Sequence, residues 1–150
     1  MIYFAVDEGR VKLLQDYVSG ERGEALRGRL RQALSGYEMV EEIRGLGMLS
    51  GIVFRAPKSL RLRLSFESFR HIHPAMFGQV IVMRMFREQR VLTQMCGNNF
   101  MVLKVAPPLV ISSQQIDRFV SAVREVIHCA HHSTEFWAEA LGLARRAMNV

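Results

Sequence analysis

Apolar residues recur along this chain with two different periods, and each change of period marks a new element. Val11, Leu14 and Val18 fall on one face and predict a helix over about 6–19. Leu26, Leu30, Ala33 and Leu34 predict a second over about 24–35, ended by Ser35-Gly36, since glycine tolerates the left-handed C-cap. The period then shortens. Tyr37–Arg44 and Met48–Phe54 read as two strands joined through Gly45-Leu46-Gly47, the β-branched and aromatic run Ile52-Val53-Phe54 favouring a pleated surface. Residues 59–70 alternate Leu60, Leu62 and Leu64 with Arg61 and Arg63, as a strand would, yet Phe66 and Phe69 suit a helix, and helix is the expectation. Pro74 suits the first turn of a further helix over about 75–90, with Phe77, Val80, Ile81 and Met85 inward.

A hairpin follows: Val91–Gln94 as one strand, a turn at Gly97-Asn98-Asn99, and Phe100–Val105 as its partner, stopped by Pro107-Pro108. Ser112 and Gln115 have the spacing of a capping box. The helix they open carries Ile116, Phe119, Val120, Val123 and Ile127, and a last helix runs from about Thr134 to Met148. Strands in hairpins, mixed with helices, predict an α+β fold: a small, mostly antiparallel sheet covered by helices on one side. At 150 residues a single domain, 1–150, is expected, with 133–150 as a terminal helical extension.

Composition narrows the function classes. Hydrophobic residues are 49% of the chain, which argues for a folded domain and against disorder, and the nine methionines suit both a core and a surface that meets a partner. The net charge of +6 raises nucleic acid as a partner, but the basic residues form no block of five or six, so a solvated or subunit-facing arginine surface is the simpler reading and no nucleic acid is expected. Cys96 and Cys129 form no CxxC motif, which points to a reducing compartment and a cytoplasmic address. The apolar start is too short for a signal peptide, and no apolar run approaches a membrane span.

Three features carry candidate chemistry. Arg44–Gly51 is glycine-rich but has no Gly-Lys-Ser/Thr and precedes a strand, so its glycines read as a tight strand connection and not a phosphate loop. His128 and His132, with His131 beside them, are one helical turn apart; two ligands do not make a metal site, and a polar helix face is expected. The pairs Asp7-Glu8 and Glu41-Glu42 point their neighbours in different directions, so no catalytic dyad is read. Lys104 is the odd residue, a lone lysine in the apolar strand Leu103–Ile111. It either snorkels to solvent, the simpler reading from spacing, or meets an anion.

Taken in order, Arg44–Ile52, Val91-Leu92-Thr93, Leu103–Ile111 and Ile116-Asp117 with the helix that follows resemble the C-terminal portion of class III aminotransferases, the ornithine, acetylornithine and 4-aminobutyrate group. The resemblance covers about residues 10–130. It implies the small domain of a fold type I enzyme, in a homo-oligomer whose large domain holds pyridoxal phosphate on a lysine. Such an enzyme moves an amino group from an amino acid or ω-amine to a 2-oxo acid. The family has a basic residue, most often arginine, just before its Pro-Pro-Leu segment, where it binds a substrate carboxylate; Lys104 stands at that position. No cofactor lysine is present, Lys12 and Lys58 matching none, so the chain alone is expected to be inactive and to need a large cofactor-binding domain in the same or a separate chain. Lys58–Pro74 reads as an insertion relative to the short family pattern, and Ser133–Val150 as an extension past its usual end. A freestanding interaction module and, further off, a basic nucleic-acid-binding domain are the competing classes.

Overall fold

The computed structural model describes residues 20–148. In order these form α1 (Arg22–Leu34), β1 (Val40–Leu46), β2 (Leu49–Phe54), α2 (Leu60–Ile72), α3 (Met76–Arg87), β3 (Gln94–Cys96), a 3-10 turn (Asn98–Phe100), β4 (Val102–Val105), α4 (Ser113–His132) and α5 (Thr134–Met148). The helix expected over 6–19 lies outside the described residues.

The four strands form one antiparallel sheet in the order β1-β2-β4-β3. Its register sorts the side chains. Ile43, Ile52, Leu103 and Met95 make one cross-strand row, and the next row is Arg44, Gly51, Lys104 and Gln94. Adjacent rows point to opposite faces, so the first faces the helices and the second faces away from them. Ile43, Ile52 and Leu103 are buried, whereas Arg44, Lys104 and Gln94 are exposed. Among the described residues helices lie on one face and none on the other, which is the α+β architecture that the strand and helix patterns predict.

The β1–β2 turn is tighter than the expected Gly45-Leu46-Gly47 connection. β1 runs through Leu46, and only Gly47 and Met48 lie between the strands. Gly47 has φ +56°, the left-handed value a two-residue hairpin turn needs to match strand twist. This turn rests on α1. The buried guanidinium of Arg27 donates from Nη1 to the Gly47 carbonyl at 2.6 Å and from Nε to Glu24 at 2.8 Å. Arg27 foremost, then Arg31, holds the Glu24 carboxyl below its ordinary range.

The helical side of the core centres on Phe77 of α3, whose ring meets Phe54 at 5.4 Å, Phe66 at 5.2 Å and Phe136 at 6.4 Å. Phe69 of α2 stacks on Trp137 of α5 at 4.8 Å. The segments read from the sequence as an insertion and a terminal extension therefore pack against each other. The alternation of leucines in 59–70 does not mark a strand: Leu62, Phe66 and Phe69 turn inward, while Leu60 and Leu64 stay exposed. Glu38 caps the start of this helix from a distance. Its carboxylate accepts the Lys58 and Ser59 N–H groups at 2.8 and 3.0 Å and the Ser59 hydroxyl, and the hydroxyl foremost keeps it below the usual carboxylate range. α5 is fastened to α3 by Arg84, which reaches Glu139 at 2.9 Å and lies 5.3 Å from the centre of the Phe136 ring.

Several boundaries move from their expected places. Pro74 precedes α3 instead of standing in its first turn. Val91–Thr93 has no regular structure, and β3 begins at Gln94, because α3 closes through Arg90 in a left-handed conformation at φ +57° and the chain needs the next residues to reach the sheet. Asn98–Phe100 winds into a 3-10 turn, so β4 starts at Val102. The capping box at α4 is present as expected: Ser112 accepts from the Gln115 N–H, and Gln115 accepts from the Ser112 N–H at 2.8 Å.

Candidate functional site

The bare face of the sheet places the one lysine of its strands. Lys104 stands on the inner strand β4 between Gly51 and Gln94. Gly51 has no side chain to cover it, and Lys104 is exposed. Two cavities meet at this residue. One, of about 520 Å³, lies over the bare face against Arg44, Leu46, Leu49, Val102 and Cys96. The other, of about 460 Å³, lies at the end of the sheet, bordered by Arg90, Thr93, Pro107, Pro108 and Arg118. No acidic side chain lines either. Among the described residues Lys104, Arg90 and Arg118 have no ion-pair partner, whereas Arg44 reaches Glu42 at 3.1 Å.

The prolines shape the rim. Pro107 and Pro108 have no N–H to extend the ladder, so β4 stops at Val105. The chain turns back with the Ile111 N–H on the Pro108 carbonyl at 3.0 Å, and Arg22 of α1 donates to the Ile111 carbonyl at 3.2 Å. Strand, rim and the capped start of α4 are thereby held together around Lys104.

The other sequence candidates are placed elsewhere and have structural partners. The Arg44–Gly51 segment is the β1–β2 hairpin, as its glycines suggested. The histidines of α4 are not one uniform polar face. His131 is buried; its Nδ1 donates to the Ile127 carbonyl at 3.1 Å, and its Nε2 faces the Met39 N–H at 3.5 Å. Burial foremost lowers its pKa and favours the neutral ring. His128 and His132 stay exposed, with Tyr37 Oη 3.2 Å from His128 Nδ1. Among the described residues no group of three or more His, Cys, Asp or Glu is placed to hold a metal. Glu41 and Glu42 are both exposed on β1, and Asp7-Glu8 lies outside the described residues. Sequence reasoning missed the buried Arg27, whose only signal is the i, i+3 spacing to Glu24, and it did not connect Arg90 and Arg118 with Lys104, from which they are distant in sequence.

Among the described residues the sheet is thus covered by helices on one face, and Lys104 stands unpaired on the other. The chain belongs to the family described as Aminotransferase class-III, which matches residues 11–127. The aminotransferase PigE of Serratia sp. (strain ATCC 39006) is 27% identical over 146 residues, covering 76% of this chain and 17% of PigE. Among solved structures, a transaminase from directed evolution by ancestral reconstruction is 25% identical with a TM-score of 0.64, covering 83% of this chain and 25% of that one. A phospholyase from Arthrobacter in complex with phosphoethanolamine is 24% identical with a TM-score of 0.61, covering 79% of this chain and 25% of that one. The chain thus spans about a sixth of the length of the curated relative and a quarter of the solved ones.

Class-III membership implies pyridoxal phosphate in the full-length enzyme. The described residues do not themselves fit that group. Lys58 is exposed before α2, and the cavities beside Lys104 contain no carboxylate to pair with a pyridine nitrogen. None of the described helices is long and apolar enough to cross a membrane.

Proposed function

We propose that this chain is the small C-terminal domain of a pyridoxal-phosphate-dependent aminotransferase, a single domain whose Lys104 binds a carboxylate of the substrate. The enzyme transfers an amino group from an amino acid or ω-amine to a 2-oxo acid. A large domain, in the same or a separate polypeptide, holds the cofactor, which supplies the electron sink for the chemistry. The assembly is a homo-oligomer of the cytoplasm, and this chain alone is inactive.

One observation carries the reading: Lys104 is an uncompensated cation on the bare face of the sheet, at the position where the family has its carboxylate-binding basic residue. Leu46 is 88% exposed and Leu49 53% exposed on β1 and β2, which supports a further polypeptide covering that face. Inside such a covered site the ammonium is partly desolvated, and its attraction for a carboxylate grows accordingly. A lysine is a point charge on a flexible stem and lacks the bidentate fork of arginine. It therefore fixes the carboxylate less rigidly and suits donors whose carboxylate lies at different distances from the amine.

In the enzyme that joins this chain to its large domain, Lys104→Met is expected to raise KM for a carboxylate-bearing donor by about ten- to a hundredfold, the worth of one charge-assisted hydrogen bond. A simple amine of matching length should keep its KM. Steady-state kinetics with both donors check this. An equal loss for both donors, or no loss for either, would count against the role.

A further inference from the structure

We propose that Arg90, Lys104 and Arg118 together form a binding site for a phosphate-bearing small molecule, in the cavity at the end of the sheet. All three border the same space of about 460 Å³, which no acidic side chain lines. They come from the end of α3, from β4 and from α4. None has an ion-pair partner among the described residues. Three like charges around one cavity repel each other, and a bound anion removes that repulsion.

Two further observations point the same way. Arg90 has φ +57°, a conformation that glycine adopts freely and that strains any other L-residue. The backbone there is set by the end of α3, where the Arg90 N–H reaches the Phe86 carbonyl and the Val91 N–H reaches the Met85 carbonyl. An arginine at a position suited to glycine is a local cost, and its side chain borders the cavity. Thr93 borders the same cavity, and its buried Oγ1 has no hydrogen-bond partner among the described residues. Turned toward the cavity, this hydroxyl donates to a bound phosphate oxygen. Leu26, Val91 and Phe119 supply apolar wall, which concentrates the field of the cations.

The choice of phosphate follows from the number and shape of the donors. A monocarboxylate needs only Lys104. Two guanidinium groups and an ammonium match a tetrahedral group with two or more negative charges, each arginine engaging two oxygens. The inference shares Lys104 with the carboxylate role proposed above. Its test uses Arg90 and Arg118, so its failure leaves that role standing.

The experiment is thermal denaturation and calorimetric titration of the 150-residue chain with inorganic phosphate, against chloride and acetate at matched ionic strength. Phosphate is expected to raise Tm saturably and the other two anions are not. Arg118→Gln should weaken phosphate binding by about tenfold or more. Arg90→Gly should raise Tm in chloride by about 3 °C, by relieving the left-handed strain, and abolish most of the phosphate increment. The proposal is overturned if phosphate acts no differently from acetate, or if both variants bind phosphate as the parent does. A fall of Tm in chloride for Arg90→Gly would overturn the part given to Arg90, showing that its side chain serves the helix end.

Discussion

A chain cut after Ser133 is expected to lose its cooperative fold, although the class-III match ends at residue 127. The cut removes Phe136 and Trp137, which are 0% and 8% exposed. Trp137 stacks on Phe69 and donates from its indole nitrogen to the Ala130 carbonyl at 3.0 Å. Phe136 lies against Phe77 and beneath Arg84. Deleting a buried aromatic side chain costs about 3–5 kcal/mol, and a domain of this size has about 5–15 kcal/mol in all. Losing two therefore removes most or all of the stability. The cut would also expose Phe69 and leave Arg84 without Glu139. Trp137→Ala alone should cost about 4 kcal/mol by urea denaturation. Circular dichroism melting of the truncated chain checks the larger effect; a cooperative melt within a few degrees of the parent would show that α5 is dispensable.

Gly23→Ala is the second large effect, and its sign is set by a contest. Alanine improves helix propensity in α1 by about 1 kcal/mol. A Cβ at this position, however, would lie 1.9 Å from the Gly47 carbonyl oxygen and 2.5 Å from its carbon. These are backbone atoms of a two-residue turn, so they cannot swing aside as a side-chain tip could. The turn must retreat from α1, which stretches the 2.6 Å bond from Arg27 and leaves a buried guanidinium short of a partner. Overpacking costs about 1–3 kcal/mol and an under-satisfied buried polar group about 1–3 kcal/mol, so a net loss near 3 kcal/mol is expected. Chemical denaturation of Gly23→Ala beside Gly28→Ala makes the comparison, since Gly28 on the same helix has open space where its Cβ would stand. Equal stability of the two variants would contradict the contact.

Most of the fold was legible because burial was periodic. Leu26, Leu30 and Leu34 announced α1, and Ile116, Val123 and Ile127 announced α4, each group buried as its spacing required. The hairpin ends were harder. Val91-Leu92-Thr93 has strand composition, but the helix before it ends in a left-handed residue that no composition rule assigns to arginine, and the strand starts three residues later. For the same reason the basic character of the cavity beside Lys104 was hidden: Arg90, Lys104 and Arg118 lie far apart in sequence, and only the antiparallel return of β4 beside β3 and the start of α4 brings them to one space. Lys104 was legible as an anomaly, a charge in an apolar strand. Its register opposite Gly51, which leaves it uncovered, is a tertiary fact. His131 failed in the opposite direction: a histidine one residue from an exposed pair has no sequence mark that it alone turns inward to the Ile127 carbonyl.

The proposed function makes the bare sheet face the surface that a large domain covers, and the two free cysteines report on it independently. Cys96 borders the cavity over that face, while Cys129 lies on α4 beside Tyr37 and His128, away from it. The direct measurement is the rate of alkylation of each thiol in this chain alone and in the chain joined to its large domain. Protection of Cys96 on joining, with Cys129 unchanged, is the predicted result. A Cys96 that reacts equally fast in both would mean that the Lys104 face stays open to water and forms no wall of a shared site.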